Sequence, residues 1–351
     1  MKSPASIAIV VVSGMGNALM AQPSMRALAA RYPSARLVVF ARNRSIGAVF
    51  EREPWVSDVQ TFGNSSRDFP KMLQSLRSFA ADLLLIPYPS NRWQFSLLAS
   101  LSGARRVVMH SYPVGRFKSF QGLVPERVAS VPGLHEVEQN CNLVRHVVGD
   151  IDITPPRMRP AAEELSSGEA KLLELGVEPA RAVAIHAGSG DTIFAMSKRW
   201  SAGKYAKVIA HLRERGLLPV LLDGPEDVGV AEAFAGVDVP RLKLHGPLHE
   251  AAALLHVCRL YVGNDSGLAH LAASVGTPPV TLFGPALPDE VSPWGHRDLV
   301  VQTPAECAPC FRYPQRATKP VVRCRPPYCV DQIEVSMVEE AIERALAKVA
   351  G

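Results

Sequence analysis

Ile7-Ala8-Ile9-Val10-Val11-Val12-Ser13-Gly14-Met15-Gly16-Asn17 is the stretch on which the fold turns. A continuous apolar run, mostly β-branched and without polar alternation, suits a strand covered on both faces, and so a parallel sheet. The glycines that follow let the backbone turn sharply and come close to a ligand. A helical pattern then runs to about Arg31. Pro23 lies inside it, so the helix either starts late or carries Pro23 in its first turns. Lys2, the apolar run and Ala18-Leu19-Met20-Ala21 also loosely resemble a signal peptide. The run is short, and Gly14, Gly16 and Asn17 interrupt it before the supposed cleavage site, so a buried first strand is the better account.

Outward from there, strands are predicted over 7–12, 36–41, 58–62, 82–86 and 105–109, with helices over 70–80 and 94–101 between them. This alternation gives an α/β doubly wound domain. Residues 150–160, rich in Pro, Asp and Thr, read as a linker. A second alternation follows, with strands over 182–186, 217–222, 241–244, 260–262 and 279–283. Its helices are predicted over 205–215, 228–235, 250–257 and 268–275. Residues 335–349 read as an amphipathic helix with Val335, Val338, Ile342 and Leu346 on one face. The expected organisation is an N-terminal domain over 1–160, a C-terminal domain over 161–334 and a terminal helix over 335–351. A cleft between two such halves is a preferred place for a ligand.

Composition narrows the function. At 351 residues, 47% apolar and 20% charged, the chain reads as globular and not disordered. A net charge of +5 fits an acidic substrate or an anionic membrane surface. With 7% aromatic residues and no regular stacking platforms, it makes no case for nucleic acid. No apolar run reaches the roughly 18 residues of a membrane-spanning helix.

Three loops carry chemistry. The first, Gly14-Met15-Gly16-Asn17, can offer helix amides to an anion. Ala18-Leu19 stand where a dinucleotide fingerprint needs its third glycine, so an NAD-dependent reading rests on the turn alone. The second is Ala187-Gly188-Ser189-Gly190-Asp191, followed by Ser197-Lys198-Arg199-Trp200. Its amides suit diphosphate oxygens, and Lys198 or Arg199 can neutralise their charge. The third is Gly263-Asn264-Asp265-Ser266-Gly267-Leu268-Ala269-His270. Asp265 or Ser266 is expected to cap a helix whose amides face the crevice at the strand ends, with His270 one turn on. The bland accounts are a tight turn, a solvated basic loop and a core histidine.

Cys307, Cys310, Cys324 and Cys329 form Cys-x2-Cys-x13-Cys-x4-Cys. Two close pairs suit a tetrahedral thiolate site for structural zinc, or iron. Two disulfides or free thiols remain open at this point. Cys141 and Cys258 are isolated and read as buried spectators. Arg312, Arg316, Lys319, Arg323 and Arg325 read as a solvated basic loop.

Asp265-Ser266-Gly267-Leu268-Ala269-His270, with Phe283-Gly284-Pro285 after it, resembles the donor-site signature of the ADP-heptose:lipopolysaccharide heptosyltransferase family, glycosyltransferase family nine. Lys198-Arg199-Trp200, Asp223-Gly224-Pro225-Glu226, the opening loop with Pro23, and His135 with Asn140 are similar to its companion motifs. The resemblance spans nearly the whole chain. It implies a GT-B fold, two Rossmann-like doubly wound domains facing across a cleft. It also implies an inverting transfer of heptose, or a related sugar, from ADP-heptose to a lipopolysaccharide-core or other glycan hydroxyl, with no cofactor or metal required. Donor binding falls to Ser189, Gly190, Lys198, Glu226, Asp265, Ser266, Gly267 and His270, and the acceptor faces Gly14, Met15, Gly16 and Asn17. Acceptor loops at 64–69 and 112–122 carry no readable code. The implied location is cytoplasmic, with peripheral association at the inner membrane.

One departure stands out. Many family members carry an Asp, the proposed general base, where this chain has Asn17. An amide orients a hydroxyl but takes no proton. The catalytic candidates are therefore Asn17, Lys198 and Asp191, with His186 as a further substitute base. A non-catalytic nucleotide-sugar or glycan-binding protein on the same scaffold is the alternative that Asn17 favours.

Overall fold

The computed structural model describes residues 3–63, 65, 67–113, 119–190, 192–311 and 324–350. They divide into two compact units, one running to Pro156 and one from Arg157 onward. The break falls in a proline-rich stretch without regular structure, between helices Glu136–Val148 and Ala162–Glu174.

The first unit is built on β1 (Ser6–Val11), β2 (Arg36–Ala41), β3 (Asp58–Thr61), β4 (Leu83–Ile86), β5 (Arg106–Ser111) and β6 (Glu126–Ala129). Their order is β3-β2-β1-β4-β5-β6, with every pairing parallel. Strand β1 is central, Ile7 standing opposite both Leu37 and Leu83. Ile7, Ala8, Ile9 and Val10 are all fully buried, so both faces of the sheet are covered, as the unbroken apolar run requires. On one face Ala8, Val10, Val38, Phe40, Leu84 and Ile86 form a core with Met72 and Leu76 of helix Asp68–Phe79.

The second unit repeats the plan with β7 (Ala182–His186), β8 (Leu218–Asp223), β9 (Arg241–Lys243), β10 (Leu260–Asn264), β11 (Pro279–Phe283) and β12 (Val300–Gln302). Their order is β12-β11-β10-β7-β8-β9, again all parallel. Both sheets thus reverse their winding beside a central strand, and both units are doubly wound α/β layers of the Rossmann type. Helix Val335–Ala350 belongs to the second core: Val338 and Ile342 are fully buried against it, with Val335 and Leu346 at its margin.

Some elements differ from their predicted form. The first helix spans Met15–Arg31 and passes straight through Pro23, well beyond its first turns. Its face from Ala18 to Ala29 is largely buried and packs on helix Glu136–Val148, and that packing outweighs the local cost of proline. Strands β6 and β12 stand outside the predicted set. Both are short edge strands. No helix among the described residues is long and apolar enough to cross a membrane.

Candidate functional site

In an open parallel sheet, ligands settle beyond the carboxyl ends of the strands where the strand order reverses. Those points lie between β1 and β4 and between β7 and β10. The three loops singled out in the sequence leave β1, β7 and β10.

In the second unit, Asn264 at the end of β10 is fully buried and bolts the loops together. Its amide nitrogen donates to the carbonyls of Ala187 (2.7 Å) and Gly188 (3.4 Å). Its oxygen accepts from the Trp200 amide (3.2 Å) and the Tyr205 hydroxyl (2.9 Å). Beside it, His186 Nε2 lies 2.8 Å from Asp227 Oδ2, and its Nδ1 lies 3.2 Å from Ser266 Oγ and 3.3 Å from the Tyr261 hydroxyl. Asp227 also accepts from the amides of Gly224 (2.8 Å) and Gly190 (3.5 Å). Burial opposes ionisation of this carboxyl, but the His186 contact and the two amides prevail and hold it below the ordinary range. Its neighbour Asp223 goes the other way, raised chiefly by burial. Glycine is needed at Gly188, where a Cβ would collide with the Asp227 carboxylate, and at Gly190, which sits at φ +93°.

Lys198 reaches the third loop. Its Nζ lies 2.6 Å from Asp265 Oδ2 and 4.5 Å from the centre of the Phe194 ring, which stacks on Phe311. The pair is well shielded, with the lysine side chain 15% and the aspartate 7% exposed. Arg199 is occupied by main-chain carbonyls of Val228 and Gly190. Ser266 is the residue at which helix Gly267–Ser274 starts, but neither it nor Asp265 caps that helix as predicted. The serine hydroxyl is turned to His186 and Tyr261. The first-turn amides of this helix, Gly267 among them, therefore carry no side-chain cap. Ser189 donates to the Ala195 carbonyl (2.6 Å), His270 is buried, and Glu226 is exposed beside the Gly190 turn. Asp191 lies outside the described residues, as do 64, 66 and 114–118 of the predicted acceptor loops and four of the five basic residues at 312–325.

In the first unit, Gly14 precedes the first helix turn, and Asn17 Oδ1 accepts from the Gly14 amide at 2.9 Å. The other end of the Asn17 side chain, Nδ2, donates to both carboxyl oxygens of Glu136, at 2.9 and 2.8 Å. Gly14 is exposed and Met15, Gly16 and Asn17 are half-buried, whereas Glu136 is 1% exposed. The loop is tied to the end of β4 by the Ser13 hydroxyl, which donates to the Pro89 carbonyl at 2.8 Å.

The sequence reading missed Asp227 and Glu136, and it placed Asn264 in the third loop without its bracing role. Asp227 stands three residues after Gly224, a spacing for a carboxylate that returns to its own turn. Glu136 is an acid in the first turn of a helix. Nothing local links it to Asn17, 119 residues away.

The four-thiolate site finds no support among the described residues. Cys307, Cys310, Cys324 and Cys329 are free thiols near one another, and burial first, then its three neighbours, push Cys329 up to about 12. Among the described residues, however, no group of three or more His, Cys, Asp or Glu side chains is gathered to hold a metal ion. Cys141 and Cys258 are buried free thiols.

Comparisons with known proteins point one way. The family model for glycosyltransferase family 9 (heptosyltransferase) matches residues 69–320. Lipopolysaccharide heptosyltransferase 3 of Escherichia coli K12 is 26% identical over 286 residues, covering 77% of this chain and 79% of its own. Among solved structures, the glycosyl transferase family 9 protein from Veillonella parvula aligns with a TM-score of 0.77 at 17% identity, over 98% of this chain and 97% of its own. The E. coli ADP-heptose lipopolysaccharide heptosyltransferase II aligns at 0.73 and 22% identity, over 99% of this chain and 100% of its own. These structural likenesses carry the fold, the paired doubly wound units of the GT-B class.

Proposed function

The chain belongs to glycosyltransferase family 9, the heptosyltransferase family, and on that premise we propose that it moves heptose from ADP-heptose to a hydroxyl of a lipopolysaccharide-core or related glycan, with inversion. The observation that carries the reading is the grouping at the second sheet's reversal point: Lys198 paired with Asp265, beside uncapped helix amides after Ser266. A diphosphate placed there competes with Asp265 for the Lys198 ammonium. It also gains amides already aimed outward.

The acceptor oxygen bonds to the anomeric carbon from the face opposite the leaving group. The bond to the diphosphate oxygen breaks, and its electron pair leaves with ADP. Lys198 and the amides stabilise the charge that develops on that leaving group, where preorganised donors count most. This scheme asks no metal to hold the phosphates. The hydroxyl proton passes late, to solvent, with Asn17 accepting the hydrogen bond that aims the oxygen. Asp191 stays a candidate for proton removal. The reading puts the enzyme in the cytoplasm, acting on a lipid-linked glycan at the inner membrane surface, with no nucleic-acid partner.

The test is transfer by the purified chain from ADP-heptose to a heptose-deficient lipopolysaccharide core, read as product mass and ADP release. ADP-heptose binding with neither transfer nor donor hydrolysis would instead favour the binding-only reading that Asn17 raises. The cysteines are left outside this reaction. Elemental analysis is expected to find no stoichiometric metal in them, and about one zinc or iron per chain would restore the thiolate site.

A further inference from the structure

We propose that Glu136 is a positioning residue for the transfer step: it fixes the Asn17 amide so that the carbonyl oxygen of Asn17 is presented to the acceptor hydroxyl. The proposal rests on the functional reading above. Its argument begins with which way the amide points. Gly14 offers only a backbone N–H, at 2.9 Å from Oδ1, while the two Glu136 oxygens act as acceptors, at 2.9 and 2.8 Å from Nδ2. The two partners demand the same orientation, so the amide has one allowed setting.

Burial makes that setting firm. Glu136 is 1% exposed, and a carboxylate taken out of water must be held by hydrogen bonds. It lies in the first turn of helix Glu136–Val148, where the helix dipole favours negative charge. Its main chain is anchored too. Asn140 Nδ2 donates to the Glu136 carbonyl (3.0 Å), and Asn140 Oδ1 accepts from the Tyr88 amide (2.8 Å). The loops after β1 and β4 and the start of this helix thus form one braced unit, joined on the other side by Ser13 and Pro89. Asn17 stands between this buried charge and the surface. With a carboxylate accepting its N–H groups, the amide is polarised, and the free lone pair of Oδ1 becomes a stronger acceptor for a hydroxyl.

The pair also accounts for an amide at a position where a carboxylate is expected. Aspartate at 17 would bring two carboxyl groups into contact, which disfavours ionising both. The negative charge of the acceptor loop lies one residue deeper, on Glu136. Asn17→Asp alone is therefore expected to lower turnover, against the gain that a simple missing base would give.

The experiment is steady-state transfer with ADP-heptose and core acceptor by the parent chain, E136Q, N17D and the transposed double variant N17D/E136Q. Expected for E136Q is a fall in kcat of about 10²-fold, the scale of a misplaced reacting group, with the KM for donor unchanged. N17D should also fall. The double variant, with one carboxylate and one amide again in contact, should recover at least about tenfold over N17D, the scale of general-base assistance being about 10²–10⁴. An unchanged kcat in E136Q overturns the proposal. If E136Q folds poorly, the double variant still decides: a kcat no higher than that of N17D overturns it. Absence of transfer by the parent chain overturns the functional reading itself and this proposal with it.

Discussion

Lys198 holds its charge 2.6 Å from Asp265 in a shielded place, and a diphosphate would have to take the ammonium over. Lys198→Ala should therefore weaken ADP binding by about 1.5–3 kcal/mol, the range for a hydrogen bond to a charged group. Calorimetric titration reads it, and unchanged affinity removes Lys198 from the site. Asp227 answers to pH. Its carboxyl is held below the ordinary value in the folded chain, so it contributes stability that is present above the unfolded pKa of about 3.9 and is lost as pH falls through the folded value. Asp227→Asn should flatten the acid limb of stability below about pH 4, measured by melting at successive pH values. An acid limb as steep as the parent's would mean that the His186 contact is not what holds this carboxyl. At this scale the sequence was half legible. Lys198, Asp265 and Ser266 sit in recognisable strings. The partners that set their neighbours' chemistry come from 119 residues away for Asn17 and 41 for His186, and no local pattern reports such pairs.

Among the elements, the central strands were the easiest to read. β1, β2, β7 and β11 are continuous apolar runs because both faces of each sheet are covered, and their predicted bounds match to within a residue. The short edge strands β6 and β12 went unread, and the first helix keeps its course past Pro23 because its packed face decides. Strand β5 carries a consequence for stability. His110 on it is fully buried, 5.6 Å edge-on to Tyr88, and burial pushes its pKa down to about 4. The unfolded chain takes up a proton near pH 6.5, and the folded one does so only near 4. Between those values the unfolded state binds more protons, so stability rises with pH and falls on acidification. The loss from pH 7 to pH 4 should approach about 3 kcal/mol, because each tenfold difference in proton affinity between the two states is worth about 1.4 kcal/mol. His110→Gln should remove that slope in denaturant titrations at about pH 4.5 and 7. An equal slope in the variant would mean that the ring is charged in the folded state.

At the scale of the whole molecule, one doubly wound plan is used twice, and each reversal point collects the loops that carry polar chemistry. That repetition was legible as two βαβ alternations around a linker. It follows from a simple constraint: right-handed crossovers keep the helices on one face of a parallel sheet while the strand order runs one way and put them on the other face once it reverses, leaving a crevice at the reversal. The chemistry differs between the two copies. The second has a cation, Lys198, beside its helix start, whereas the first has an amide backed by the buried Glu136. A dianionic donor is therefore expected to bind the second unit and a neutral hydroxyl the first. ADP-heptose that binds only the folded chain, at about 100 times its dissociation constant, should add roughly 2.7 kcal/mol of stability. Hydrogen exchange should locate the gain. Slower exchange is expected in the amides of Gly188, Gly190 and Gly267, in the loops that leave β7 and β10, with those of the Gly14 loop unchanged until acceptor is added. Protection that appears at the Gly14 loop with donor alone would place the diphosphate in the wrong unit and exchange the roles of the two sheets.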